Sequence, residues 1–111
     1  MTTTVQKQVL SNARTLIADP AHWTNGMFAR TTDGRKVAWY DQSATRWCAL
    51  GALYRAAYDL VGDQKKAMSI GNEVGKSIYP RRSSRGALSA LNDVRGHAAV
   101  LAAFDEALQL G

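Results

Sequence analysis

Apolar residues recur every three to four positions through most of this chain, and that spacing predicts helices. Over residues 3–18, Val5, Val9, Ala13, Leu16 and Ile17 form one stripe, while Lys7, Ser11 and Arg14 lie off it. This is the pattern of an amphipathic helix with one buried face. Asp19-Pro20 ends it, because the residue before a proline is pushed out of helical geometry. A second helix is predicted from Ser43 or Ala44 to Val61. There Trp47, Leu50, Gly51, Tyr54, Ala57, Tyr58 and Val61 make one apolar stripe, and Ala49, Leu53, Ala56 and Leu60 make another. A helix apolar nearly all round belongs at the centre of a domain. At about 100° per residue, Cys48, Ala52, Arg55 and Asp59 fall within roughly 60° of one another. The cysteine is therefore expected on the least buried line of the most buried helix.

A third helix over 63–78 turns Ala67, Ile70, Gly71, Val74 and Ile78 inward and stops at Tyr79-Pro80. After a basic connector from Arg81 to Arg85, a short helical turn is predicted at Gly86–Leu91, then a break at Asn92–Gly96. A final helix follows over 97–110, with Val100, Leu101, Phe104 and Leu108 on its apolar face. Between Met27 and Tyr40 the periodicity changes. Met27–Arg30 and Lys36–Tyr40 flank Thr32-Asp33-Gly34-Arg35, and Asp-Gly is a strong hairpin turn because glycine accepts positive φ. A lone two-stranded hairpin is marginal in water, so it must lie on the helices. The expected fold is mainly α: a small bundle of four to five helices, with one β-hairpin at about 27–40 packed on a central apolar helix. Residues 1–111 are expected to form a single domain.

Composition narrows the function classes. The chain is 46% hydrophobic and 21% charged, ordinary for a globular protein and far from disorder. No run approaches the roughly 20 unbroken apolar residues that span a bilayer, and the first residues lack the apolar core of a signal peptide. One cysteine allows no internal disulfide and no CxxC-based zinc site. A cytoplasmic protein is the expectation. The net charge is +5, and its distribution says more than its total. Residues 62–96 carry seven basic side chains (Lys65, Lys66, Lys76, Arg81, Arg82, Arg85 and Arg95) against three acidic ones. That stretch could face an anionic partner, nucleic acid included, but the excess is modest and a solvated surface is the leading reading.

Three groups of residues bear on chemistry. Cys48 stands at a helix start with Arg46 close by, a setting that favours a thiolate. With His97 or His22 as base and Asn92 or Asp93 in support, a nucleophilic constellation can be drawn. Its plain alternative is a small buried hydrophobe. Trp23, Trp39 and Trp47, with Phe28 and Tyr40, fall in or beside the hairpin. They read as core, or as a groove with an aromatic wall to which Arg30, Arg35 and Arg46 bring charge. Arg81, Arg82 and Arg85 ahead of a helix offer cations to an anion. Neither histidine has another in helical register, so no metal site is expected, and the glycine-rich phosphate motifs of nucleotide cofactors are absent.

The order of these features resembles an uncharacterised family of small domains in bacteria and their phages. It comprises Trp23-Thr24-Asn25-Gly26, an Asp-Gly turn, Arg46-Trp47-Cys48-Ala49-Leu50-Gly51-Ala52-Leu53, and Asn92-Asp93 before a last helix ending in Ala-Leu. The similarity runs from about Thr15 to Leu108, and Arg46–Leu53 is its most specific part. The family pattern has Trp before the Asn-Asp pair, where this chain has Leu91, and Arg-Thr after the next glycine, where it has His97-Ala98. His97 thus lies outside that pattern. The resemblance implies a fold and a phage or mobile-element setting, and no activity.

The leading expectation is a non-enzymatic domain that binds a partner protein through the hairpin and its aromatics or through the basic connector. A cysteine-dependent enzyme built on Cys48 is the second reading, and a nucleic-acid binder using residues 65–95 is the third. A chain this short also leaves room for a homodimer.

Overall fold

Gly51 fixes the centre of the molecule. A Cβ there would stand 2.1 Å from the Phe28 carbonyl oxygen, so only glycine lets the ribbon backbone lie directly on the helix. The computed structural model describes residues 4–78 and 85–110. Among the described residues there are five helices, α1 (Thr4–Leu16), α2 (Ala49–Val61), α3 (Gln64–Ile78), α4 (Arg85–Arg95) and α5 (His97–Leu110), and a 3-10 turn at Pro20–His22. α2 packs on α1, α3 and α4, and eight of its residues, from Ala49 to Tyr54 and then Ala56 and Ala57, are buried. The helix bearing the cysteine at its start is the core of the bundle. Among the described residues, no helix is long and apolar enough to cross a membrane.

Local chemistry sets the helix ends. Gly62 closes α2 in the left-handed region (φ 71°), its N–H donating to the Tyr58 carbonyl, as a C-terminal glycine cap does. The Asp63 carboxylate then accepts from the Lys66 N–H at 2.9 Å and starts α3. Close packing of α3 on α2 depends on Gly71, where a Cβ would meet the Tyr54 ring at 2.5 Å. Val9, Leu10 and Ala13 of α1, Val74 of α3, Leu88 of α4 and Val100 and Phe104 of α5 complete the core.

The two-stranded antiparallel ribbon is present, but its second strand is not Lys36–Tyr40. β1 (Ala29–Arg30) pairs with β2 (Arg46–Trp47), Ala29 opposite Trp47 and Arg30 opposite Arg46. The Asp33-Gly34 turn does form: Gly34 has φ 90°, and its N–H donates to the Thr31 carbonyl at 2.9 Å. Beyond it only one bridge, Arg30 to Lys36, continues. β1 therefore lies between the 35–37 segment and β2, with the Val37 N–H on the Ala29 carbonyl and the Cys48 N–H on that of Phe28.

Two helix boundaries also differ from expectation. α2 starts at Ala49, not at 43 or 44, because Arg46 and Trp47 are extended in the ribbon and Cys48 is the N-cap. Cys48 is consequently buried, and so is Ala52, so the least buried line expected along that edge holds only at half-buried Arg55 and exposed Asp59. α4 runs through Asn92 and Asp93 to Arg95. The break falls at Gly96 alone (φ 88°).

Candidate functional site

The Asn92 amide is the polar centre of the molecule. Fully buried, its Oδ1 accepts from the Trp23 indole N–H at 2.8 Å and the Ala49 backbone N–H at 2.9 Å. Its Nδ2 donates to the Thr24 carbonyl and to Asp93 Oδ1, both at 3.1 Å. Every hydrogen-bonding position of the amide is used. One side chain of α4 thereby joins the 23–24 segment to the first turn of α2 and satisfies a helix N-terminal donor that has no partner within the helix. Asp93, exposed, adds a bond from the Gly26 N–H at 3.1 Å.

Beside this junction lies a cavity of about 240 Å³ lined by Gly26, Met27, Phe28, Cys48, Asn92 and Asp93. Cys48 thus lines the same cavity as Asn92 and Asp93. Its chemistry differs from that of an activated nucleophile. The sulfur accepts from the Gly51 N–H at 3.2 Å, which makes it the capping group of α2. Burial pushes its pKa up to about 11, against the smaller lowering effect of those helix amides. The thiol holds its proton at neutral pH, and the thiolate is the reactive form.

His97 is not among the residues that line this cavity. Its Nε2 stands 2.6 Å from the Ile17 carbonyl oxygen. A carbonyl only accepts, so Nε2 carries the hydrogen. The ring also packs at 5.6 Å on that of Trp23. His97 therefore ties the start of α5 to the end of α1. His22 is exposed and lines a different hollow.

The tryptophans separate into three settings instead of one cluster. Trp23 lies with His97 and Asn92. Trp47 donates its indole N–H to the Trp39 carbonyl at 3.1 Å and carries the Arg55 guanidinium 5.5 Å from its ring centroid. Trp39 is the middle of a five-ring ridge. It meets Tyr54 at 5.5 Å, Tyr58 at 5.7 Å and Tyr40 at 5.0 Å, and Phe28 extends the row by packing on Tyr54 at 5.7 Å. Tyr54 and Tyr58 are one helical turn apart on α2 and so share a face. Trp39 and Tyr54 are buried, but Phe28 and Tyr40 at the outer ends stay 41% and 40% exposed. The tyrosines of α2 carried no signal as site residues, because their spacing matches that of a core stripe.

The expected basic residues divide in the same way. Arg30 is committed to structure, donating to the Thr24 hydroxyl and to the Gly34 and Asn25 carbonyls, and Arg46 donates to the Thr32 carbonyl at 3.0 Å. Arg35 is exposed, its Nε 3.3 Å from Asp33. Arg81 and Arg82 lie outside the described residues, and Arg85 is the first residue of α4. Among curated proteins and among solved structures, none matches the chain. A family model does match residues 1–110, nearly the whole length, and by that match the chain belongs to DUF6197, a family of unknown function.

Proposed function

We propose that this domain is a binding module that holds a partner protein against the aromatic ridge and the adjoining Cys48–Asp93 cavity. The observation that carries this reading is the exposure of Phe28 and Tyr40 at the two ends of a row of rings in which Trp39 and Tyr54 are buried and Tyr58 half-buried. Large aromatics on a preformed, rigid surface lose little freedom on association and are the usual anchors of protein interfaces. Phe28 belongs to both the ridge and the wall of the 240 Å³ cavity, so an apolar side chain of the partner would enter beside it. Arg35 and Lys36, exposed on the turn after β1, supply positive charge at the edge. A reducing, cytoplasmic setting belongs to the same proposal, since the one thiol is unpaired.

The test is a photo-crosslinking amino acid placed at Tyr40, and separately at exposed Glu106 as a control, in producing cells. One saturable adduct at position 40 is expected, lost with Phe28→Ser while the thermal melt stays within a few degrees. The same adducts at both positions, or none at position 40, would remove the reading.

A further inference from the structure

A second hollow, of about 560 Å³, opens where α1 and the Pro20–His22 turn meet α2 and the 44–47 segment. That volume suits a small molecule, for which sites run to roughly 300–1,000 Å³. Leu16, Ala44, Trp47 and Ala56 make its apolar wall. Ala44, Trp47 and Ala56 are buried, so this wall is continuous with the packed core.

The rest of the lining is already served from within the chain. Among the described residues that line the hollow there is no ammonium or guanidinium, and the one carboxylate is Asp59. Its charge is met by Arg55, whose Nε stands 3.3 Å from Asp59 Oδ1. The same guanidinium lies 5.5 Å over the Trp47 ring and donates to the Trp39 and Asp41 carbonyls at 3.3 and 3.0 Å. Four contacts therefore hold the cation beside its carboxylate. The polar lining groups of α1 and the 44–47 segment have partners too. The Thr15 hydroxyl donates to the Ser11 carbonyl at 3.1 Å, the Thr45 and Thr32 hydroxyls share a hydrogen bond of 3.0 Å, and Asn12 Oδ1 accepts from Gln8 at 2.9 Å. An apolar body that enters thus strands few polar groups. An ammonium or a carboxylate that enters gives up water and finds no free counter-charge among Asp59 and its partner.

We infer that this hollow binds a neutral, largely apolar small molecule and discriminates against charged relatives of the same shape. The probe is 3-ethylindole, compared with the cation tryptamine and the anion indole-3-propionate, each titrated into the intact protein and followed by backbone amide NMR. Saturable shifts at Leu16, Thr45 and Ala56 are expected with 3-ethylindole, and both ions should bind about fivefold more weakly. Thr15→Trp, a change at an exposed position of the lining, should obstruct the hollow and remove those shifts while the thermal melt stays within a few degrees. Arg55→Gln takes the partner from Asp59 and should raise tryptamine to the level of 3-ethylindole or above, with the propionate no tighter. Equal affinities for the three probes, an ion that binds the native protein more tightly than 3-ethylindole, or no saturable shift would each overturn the assignment. So would shifts that survive Thr15→Trp, or an Arg55→Gln protein that keeps the native order.

Discussion

Two residues of the Cys48–Asn92 junction make opposite demands on substitution. Asn92, itself fully buried, spends all four of its hydrogen bonds inside the protein. Asn92→Ala should therefore cost about 3 kcal/mol, because the Trp23 and Ala49 donors and the Thr24 carbonyl lose their partner inside the protein. Urea unfolding measures this, and a loss under about 1 kcal/mol would show that the junction relaxes or admits water. Cys48 supplies one acceptor, and serine can replace it. Cys48→Ser keeps a cap for the Gly51 N–H and should change stability by less than about 1 kcal/mol, with Cys48→Ala worse by a comparable amount. The pH response of the native thiol follows from its burial. Folded Cys48 keeps its proton to about pH 11, whereas an ordinary thiol gives it up near 9.0. Between those values the folded chain binds more protons than the unfolded one, so stability falls as pH rises. The drop is up to about 2–3 kcal/mol and is absent in Cys48→Ser. Parallel denaturation series of the two proteins from pH 8 to 11 give the difference directly, and superimposable curves would exclude it.

At the scale of the elements, three glycines on helices invite the same substitution with different results. Gly51→Ala drives a Cβ into the Phe28 backbone, which cannot move without displacing β1, and should cost about 3 kcal/mol or more. Gly71→Ala pushes on the Tyr54 ring and should cost about 1–3 kcal/mol. At Gly75 the nearest atoms, of Leu88 and Leu50, stand at 3.5 and 3.7 Å, ordinary contact distances. There alanine should stabilise by up to about 1 kcal/mol through helix propensity. Thermal melts of the three variants should rank them in that order, and a stable Gly51→Ala would contradict the packing of β1 on α2. The same elements show how far the residues spoke for themselves. α3 and α5 were legible because polar and apolar positions alternate at helical spacing, with the Gly62-Asp63 and Gly96 punctuation at their starts. The start of α2 was not: Trp47 lies three residues before Leu50 and fits the stripe, while cysteine is seldom the cap of a helix. Asn92-Asp93 looked like turn chemistry, since both side chains readily bond their own backbone. In the fold they bond distant segments instead, and the helix continues through them. The Lys36–Tyr40 segment leaves β1 after the Arg30–Lys36 bridge and the Val37 bond, and its Trp39 packs on Tyr54 and Tyr58. That is a tertiary demand invisible in local pattern, and it is also why the aromatic ridge was only half foreseen.

Across the whole molecule, the two outer helices are joined by an ion pair as well as by core packing. Arg14 donates from Nε and Nη2 to the two oxygens of Asp105, at 2.8 and 3.1 Å. The hydrogen bond from Arg14 holds the Asp105 carboxylate below its ordinary pKa. The pair is half in solvent, which limits its worth to about 0.5–1 kcal/mol. That contribution is present at neutral pH and is lost as pH falls through the lowered pKa, so Asp105→Ala should destabilise at pH 7 and be neutral near pH 2. The Asn92 junction has a larger consequence, one of timing. It ties together residues 43 and 69 positions apart in the chain. During synthesis at about 5–20 residues per second, the start of α2 waits several seconds for the amide that completes it. A nascent chain halted before that asparagine emerges should leave its tryptophan loop open to proteases, and release of the arrest should close it in a single step.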